Sequence, residues 1–147
     1  MRKKISRGLA VAALLVTSGL TVSGCAMVDE LVHHQKSATF EDRAAFETDS
    51  DLDAPWLPSD SSEIRSTQST QADDATVAAL SKEELSADIC TEVPRQSAPA
   101  YVLEDTVNVY KVSDVFACGA WSVAKTPTGW VGWTPNHPDE KAQSPAS

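Results

Sequence analysis

Histidine is nearly absent from this chain. The three copies are His33, His34 and His137, two close to one end and one close to the other. A Ser–His–Asp or Cys–His arrangement therefore has no base in the middle of the sequence, and an imidazole metal site lacks spaced ligands. Asp29 and Glu30 lie near the His33–His34 pair, but adjacent histidines point in different directions on most backbones. Basic residues are scarce too, with twelve Lys and Arg against twenty-one Asp and Glu. That balance argues against nucleic acid and against docking on anionic headgroups, so no nucleic-acid partner is expected. It leaves basic partners, cations, or a solvated acidic surface with no partner. Past residue 22 there is no long apolar run, so no second membrane segment is expected. A Gly-rich phosphate loop is missing. Asp49, Asp51 and Asp53 alternate without the Gly and the distant Glu of a calcium loop, so neither a cofactor nor a metal is expected.

What the chain does have begins at its amino terminus. Arg2, Lys3, Lys4 and Arg7 precede an uncharged stretch of mostly Ala, Val and Leu from Leu9 to Val22. The stretch is shorter than the about 20 residues that span a bilayer, and with its charged start it has the form of an export signal. It ends in Val22-Ser23-Gly24-Cys25: an aliphatic residue, two small residues, then cysteine. These four residues resemble the lipobox of bacterial lipoproteins. The resemblance implies a signal peptide over 1–24, cleavage before Cys25, and a diacylglycerol on the Cys25 thiol. Two or more chains are what stable anchoring requires. Removing the four leader cations leaves eight against twenty-one, a net of about −13. The expected location is the extracytoplasmic face of the cell membrane.

With Cys25 given to lipid, Cys90 and Cys118 remain as an even pair in an oxidising setting, and a disulfide between them is expected. Neither has a second Cys or His at metal-ligand spacing. The loop they close would contribute about 3.5 kcal/mol in the chain-entropy estimate, a large share for a small domain.

Residues 25–54 are acidic and poor in large apolar side chains, and are expected to be a tether spanning about 30 Å as a coil. Within it a fraying turn around Phe40 and Phe46, capped by Thr39, is the most structure the residues support. A folded unit is expected over 55–136, entered at Pro55-Trp56-Leu57-Pro58, with a disordered tail over 137–147. Strand signals dominate the unit. Residues 63–70 (EIRSTQST) fit an exposed edge strand, 75–80 (ATVAAL) fit either class, and 107–112 (VNVYKV) alternate as an extended segment. Ser81 with Glu84 three residues on has the form of a helix start. Residues 118–134, two aromatic and β-branched runs around Thr126-Pro127-Thr128-Gly129, predict a hairpin. The expected class is mainly β or a small α+β fold, with an antiparallel sheet, a C-terminal hairpin and one disulfide.

Four Trp occur in the chain, three of them within thirteen residues: Trp121, Trp130 and Trp133. If Lys125 pairs with Trp130, alternation puts Trp121, Val123 and Trp130 on one face and Ala124, Val131 and Trp133 on the other. One face of a small sheet must look outward unless a second layer covers it. An outward Trp beside Gly132 would then be a stacking platform for a sugar ring or peptide, whereas two covered faces would make all three Trp core. Trp121-x-Val123 followed by Gly129-Trp130-Val131 is similar to the closing hairpin of bacterial SH3-like wall-binding domains, over about fifteen residues. More of the chain (lipobox, acidic tether, Trp56-Leu57-Pro58 entry followed by Asp60 and Ile64, Cys pair, Gly129 to Pro135) resembles small lipoproteins of high-GC Gram-positive bacteria, a group with no activity to carry over.

The expectation is therefore a membrane-anchored, non-catalytic binding or accessory module, with a cell-wall polymer or an envelope protein as partner and Trp121, Trp130 and Trp133 as binding residues. The alternative is a small envelope hydrolase using a carboxylate pair such as Glu104 with Asp114.

Overall fold

The computed structural model describes residues 34–145. Its centre is one seven-stranded, wholly antiparallel sheet in the order β1-β2-β3-β7-β6-β5-β4. The elements are β1 (Gln35–Asp42), α1 (Arg43–Asp49), β2 (Ser62–Ser69), β3 (Ala75–Leu80), β4 (Thr91–Pro94), β5 (Asp114–Cys118), β6 (Trp121–Lys125), β7 (Gly129–Thr134) and α2 (Pro138–Lys141). The mainly β class and the Cys90–Cys118 disulfide, with S–S 2.10 Å, agree with the sequence reading. So does the hairpin, in which Lys125 faces Trp130 and Ala124 faces Val131.

Both faces of the sheet are covered. On the first, Ile64, Val77, Val123, Trp121 and Trp130 meet Phe46 of α1, Trp56 and Leu57 from the connection 50–61, and the disulfide. On the second, Ala78, Val115, Ala124, Val131 and Trp133 meet the connection 95–113, which contributes Val109 and the partly buried Ala98, Leu103, Val107 and Val112. Alternation along each strand supplies both layers at once, because neighbouring side chains point to opposite faces.

Several expectations are corrected. Residues 35–54 do not form a tether: β1 pairs with β2 from Gln35–Ser69 to Asp42–Ser62, and Phe46 is 1% exposed. Their composition looks like linker because β1 is an outermost strand, which needs few apolar residues. Asp42, not Thr39, caps α1, accepting from the Ala45 amide at 2.9 Å. The strand at 62–69 is consequently interior, between β1 and β3. A bulge interrupts its pairing with β3 between Ser62 and Arg65, where Glu63 has φ 46°.

The alternating 107–112 segment is not extended throughout, since 109–111 form a 3-10 turn capped by Asn108. Alternation misleads here because the second apolar position packs onto the sheet from a loop. Ser81 starts no helix: its hydroxyl bonds Asp60 and accepts from the Glu83 amide at 3.1 Å, closing a local turn. The tail is folded at least to α2, whose Glu140 is fully buried.

Candidate binding cleft

The hairpin's aromatic residues are structural. Trp121, Trp130 and Trp133 are 5%, 2% and 1% exposed. Each indole N–H is bonded: Trp121 Nε1 donates to Asp53 O, Trp130 Nε1 to Glu83 O (both 3.0 Å) and Trp133 Nε1 to Ser97 Oγ at 2.9 Å. The space beside Gly132, where a stacking platform was expected, is filled by the chain's own Trp56. A Cβ on Gly132 would lie 2.5 Å from Trp56 Cζ2, so only glycine admits the ring. The expected binding role of the three Trp is thus corrected by the second layer on each face. That covering comes from 50–61 and 95–113, segments with no periodicity that announces it.

A second site missed in the sequence is the buried carboxylate of Glu140. Its Oε1 accepts from the Gln96 amide (2.6 Å) and the Ser97 amide (3.0 Å). Its Oε2 accepts from Ser97 Oγ (2.6 Å), Ser122 Oγ (2.7 Å) and the His137 amide (2.9 Å). Burial opposes the charge, but the Ser97, Gln96, Ser122 and His137 donors outweigh it and hold the carboxyl below its ordinary value. All its lone pairs are engaged in holding α2 and the loop 95–113 to β6, so it is a latch and not a reactive acid.

Several depressions mark the surface formed by the described residues, and two of them are wide enough and chemically distinct enough to compare as binding surfaces. The broader, about 830 Å³, lies at the β6–β7 turn and is bordered by Asp60, Glu83, Glu84 and Lys125. Four of its charged side chains, Asp60, Glu83, Glu84 and Lys125, already have partners. Asp60 takes the Ser81 hydroxyl and the Lys82 amide, which lower its pKa. Glu83 takes the Ser59 amide and hydroxyl, and Lys125 pairs with Glu84 at 2.5 Å beside the Trp130 ring.

The other cleft, about 400 Å³, is built by the connection 95–113 over β3 and β7. Its floor includes Thr76 and Val131 from the sheet, with Leu103, Val107 and Val109 from the loop. Thr76 Oγ1 donates to Tyr101 O at 2.9 Å, and Thr106 Oγ1 donates to Leu103 O at 2.8 Å, fixing the loop at both places. Val102 and Tyr110 on its rim are 77% and 71% exposed, the exposed large hydrophobic residues among those described. The guanidinium of Arg95 sits 5.9 Å from the Tyr110 ring centroid, and Arg95 itself is held by Val112 O (2.9 Å) and Ser97 O (3.0 Å). The exposed ring is therefore positioned in advance. Connections longer than about 12–15 residues are uncommon in compact domains, and those that occur are often binding loops or lids. Three consecutive apolar residues, Tyr101-Val102-Leu103, shortly after Pro99 were the available sequence signal.

The remaining predicted residues fall elsewhere. Cys25 and His33 lie outside the described residues. His34 immediately precedes β1 and its carbonyl accepts from the Thr70 amide at 2.8 Å, while His137 caps α2. Glu104 borders the apolar cleft, but Asp114, at the start of β5, does not. No group of three metal-binding side chains occurs among the described residues, and no helix there is long and apolar enough to cross a membrane. In comparisons with known proteins, no family model, curated protein or solved structure matches the chain.

Proposed function

We propose that this is a lipid-anchored, extracytoplasmic lipoprotein whose domain is a non-catalytic binding module of the cell envelope, working through the cleft under residues 99–110. The observation that carries the binding half is the coincidence of the two exposed large apolar side chains, Val102 and Tyr110, on one preformed concave surface. The lipobox at 22–25 supports the anchored half. About ten residues separate Cys25 from β1, so the domain would stand no more than about 35 Å from the lipid. A partner within the envelope, such as another membrane or wall-associated protein, fits that reach.

The test has two arms in a lipoprotein-competent bacterium expressing the full chain. For the anchor, labelled fatty acid is expected in the wild type and not in Cys25→Ser; label in neither would remove the lipoprotein reading. For the cleft, a photo-crosslinking residue replacing Tyr110 is expected to give a discrete adduct, and one replacing Thr128 at the β6–β7 turn is not. Equal adducts at both positions, or none at Tyr110, would remove the cleft as the binding surface.

A further inference from the structure

Resting on that binding reading, we infer that the occupant of the cleft is a cationic segment of a partner protein, an aliphatic side chain flanked by Lys or Arg. The floor is aliphatic, from Leu103, Val107, Val109 and Val131, which fits an aliphatic side chain better than a sugar face. Both charged residues lining the cleft are acids, Glu104 and Asp105. They are exposed at a turn where Asp105 has φ 58°, a conformation that Asp tolerates better than most residues, with the Leu103–Thr106 bond closing the loop beneath.

Arg65 of β2 borders two neighbouring depressions on the far side of this turn, one with Glu63 and Asp105 and one with Glu104, but it does not line the cleft itself. Lys111 follows Tyr110 and is outside the lining as well. Arg95 is a cation stacked on the rim residue Tyr110 and held by Val112 O and Ser97 O, but it does not line the cleft either, so the charges lining the cleft itself are negative. A second copy of this chain would bring the same acidic rim and a domain net charge of about −11, so self-association is opposed. An anionic membrane surface is opposed on the same ground.

The experiment uses the mature full-length chain in neutral detergent and three labelled twelve-residue peptides, read by fluorescence anisotropy. One has a Leu-Leu centre flanked by Lys, one has the same centre flanked by Glu, and one has a Ser-Ser centre flanked by Lys. The Lys–Leu peptide is expected to bind saturably and to weaken with salt. Val102→Ser is expected to weaken it about tenfold. Glu104→Gln with Asp105→Asn is expected to weaken it about fivefold and to remove most of the salt dependence. Glu83→Gln with Glu84→Gln, on the other groove, should leave it unchanged.

Equal binding of the Ser-centred peptide, or equal loss from the Glu83 and Glu84 changes, would mean diffuse attraction to an acidic protein and would overturn the inference. Binding of the Glu-flanked peptide as tightly, with the same loss in Val102→Ser, would overturn the cationic specificity while leaving the cleft as a binding surface. Val102-dependent binding to anionic vesicles in place of peptide would overturn the inference in favour of a membrane. If no peptide binds, the inference fails, and the Tyr110 crosslink decides separately whether the cleft binds anything.

Discussion

Trp56 is the residue on which the first face of the sheet closes. It lies over Gly132, its ring centroid is 5.9 Å from that of Trp121, and its Nε1 is buried without a hydrogen-bond partner, unlike the other three indoles. A buried unpaired donor costs about 1–3 kcal/mol, so removing it offsets part of the packing lost on truncation. Trp56→Phe is therefore expected to be less destabilising than Trp133→Phe by about 1 kcal/mol, because the latter also strips the donor from Ser97. Urea midpoints of the two variants check this, and equal midpoints would refute it.

Glu140 is the opposite case, a buried charge with every partner in place. Glu140→Gln turns two acceptor oxygens into one acceptor and one donor facing donors, and is expected to cost about 3 kcal/mol at neutral pH. Its folded pKa is depressed, so its contribution is complete above the ordinary value of 4.5 and is lost as pH falls through the lower, folded value. Wild-type stability should thus decline below about pH 4.5, and Glu140→Gln should show a shallower acid limb in the same titration.

Among elements, α1 is short and ordered by what it packs against. Its seven residues would not hold a helix alone in water. Phe46 supplies the reason it forms, meeting Phe40 edge-on at 5.1 Å and entering the first core. Arg43 ties the same helix to the connection beneath it through Leu57 O at 2.6 Å. Phe46→Ala is expected to destabilise the domain by about 3–5 kcal/mol, measurable by thermal or urea unfolding. A change under about 0.5 kcal/mol, as expected for a surface position, would mean that α1 and β1 are peripheral.

The molecule as a whole is a single sheet with a thin layer on each side, and much of its covering is irregular chain. The disulfide joins the end of the 81–90 connection to the end of β5, so the crossover from the sheet's middle to its far edge is clamped where it arrives. Reduction, or Cys90→Ser with Cys118→Ser, is expected to cost about 2–5 kcal/mol in chemical unfolding. The same unfolding followed by fluorescence should start from buried-indole emission and shift to exposed emission, since all four Trp are in the core. An exposed-type signal in the native state would contradict the two-layer packing. The acidic surface left outside, with its apolar cleft, is the surface on which the proposed binding would take place.

Local chemistry was sufficient for part of this. Pairing of two leftover cysteines, the hairpin and its register, and the division of Trp121, Val123 and Trp130 from Ala124, Val131 and Trp133 all follow from neighbouring residues and the two-residue period of a strand. The covering of each face could not be read this way. Phe46, Trp56 and Glu140 look like parts of a linker, an entry and a tail, because each contributes one decisive contact from a segment with no repeating pattern. Whether Trp133 is platform or core depends on where residues 95–113 lie, and that is decided by contacts far apart in sequence. The cleft at Val102 and Tyr110 exists only once that loop is draped over β3 and β7. Tertiary packing alone therefore chose which apolar residues stayed outside.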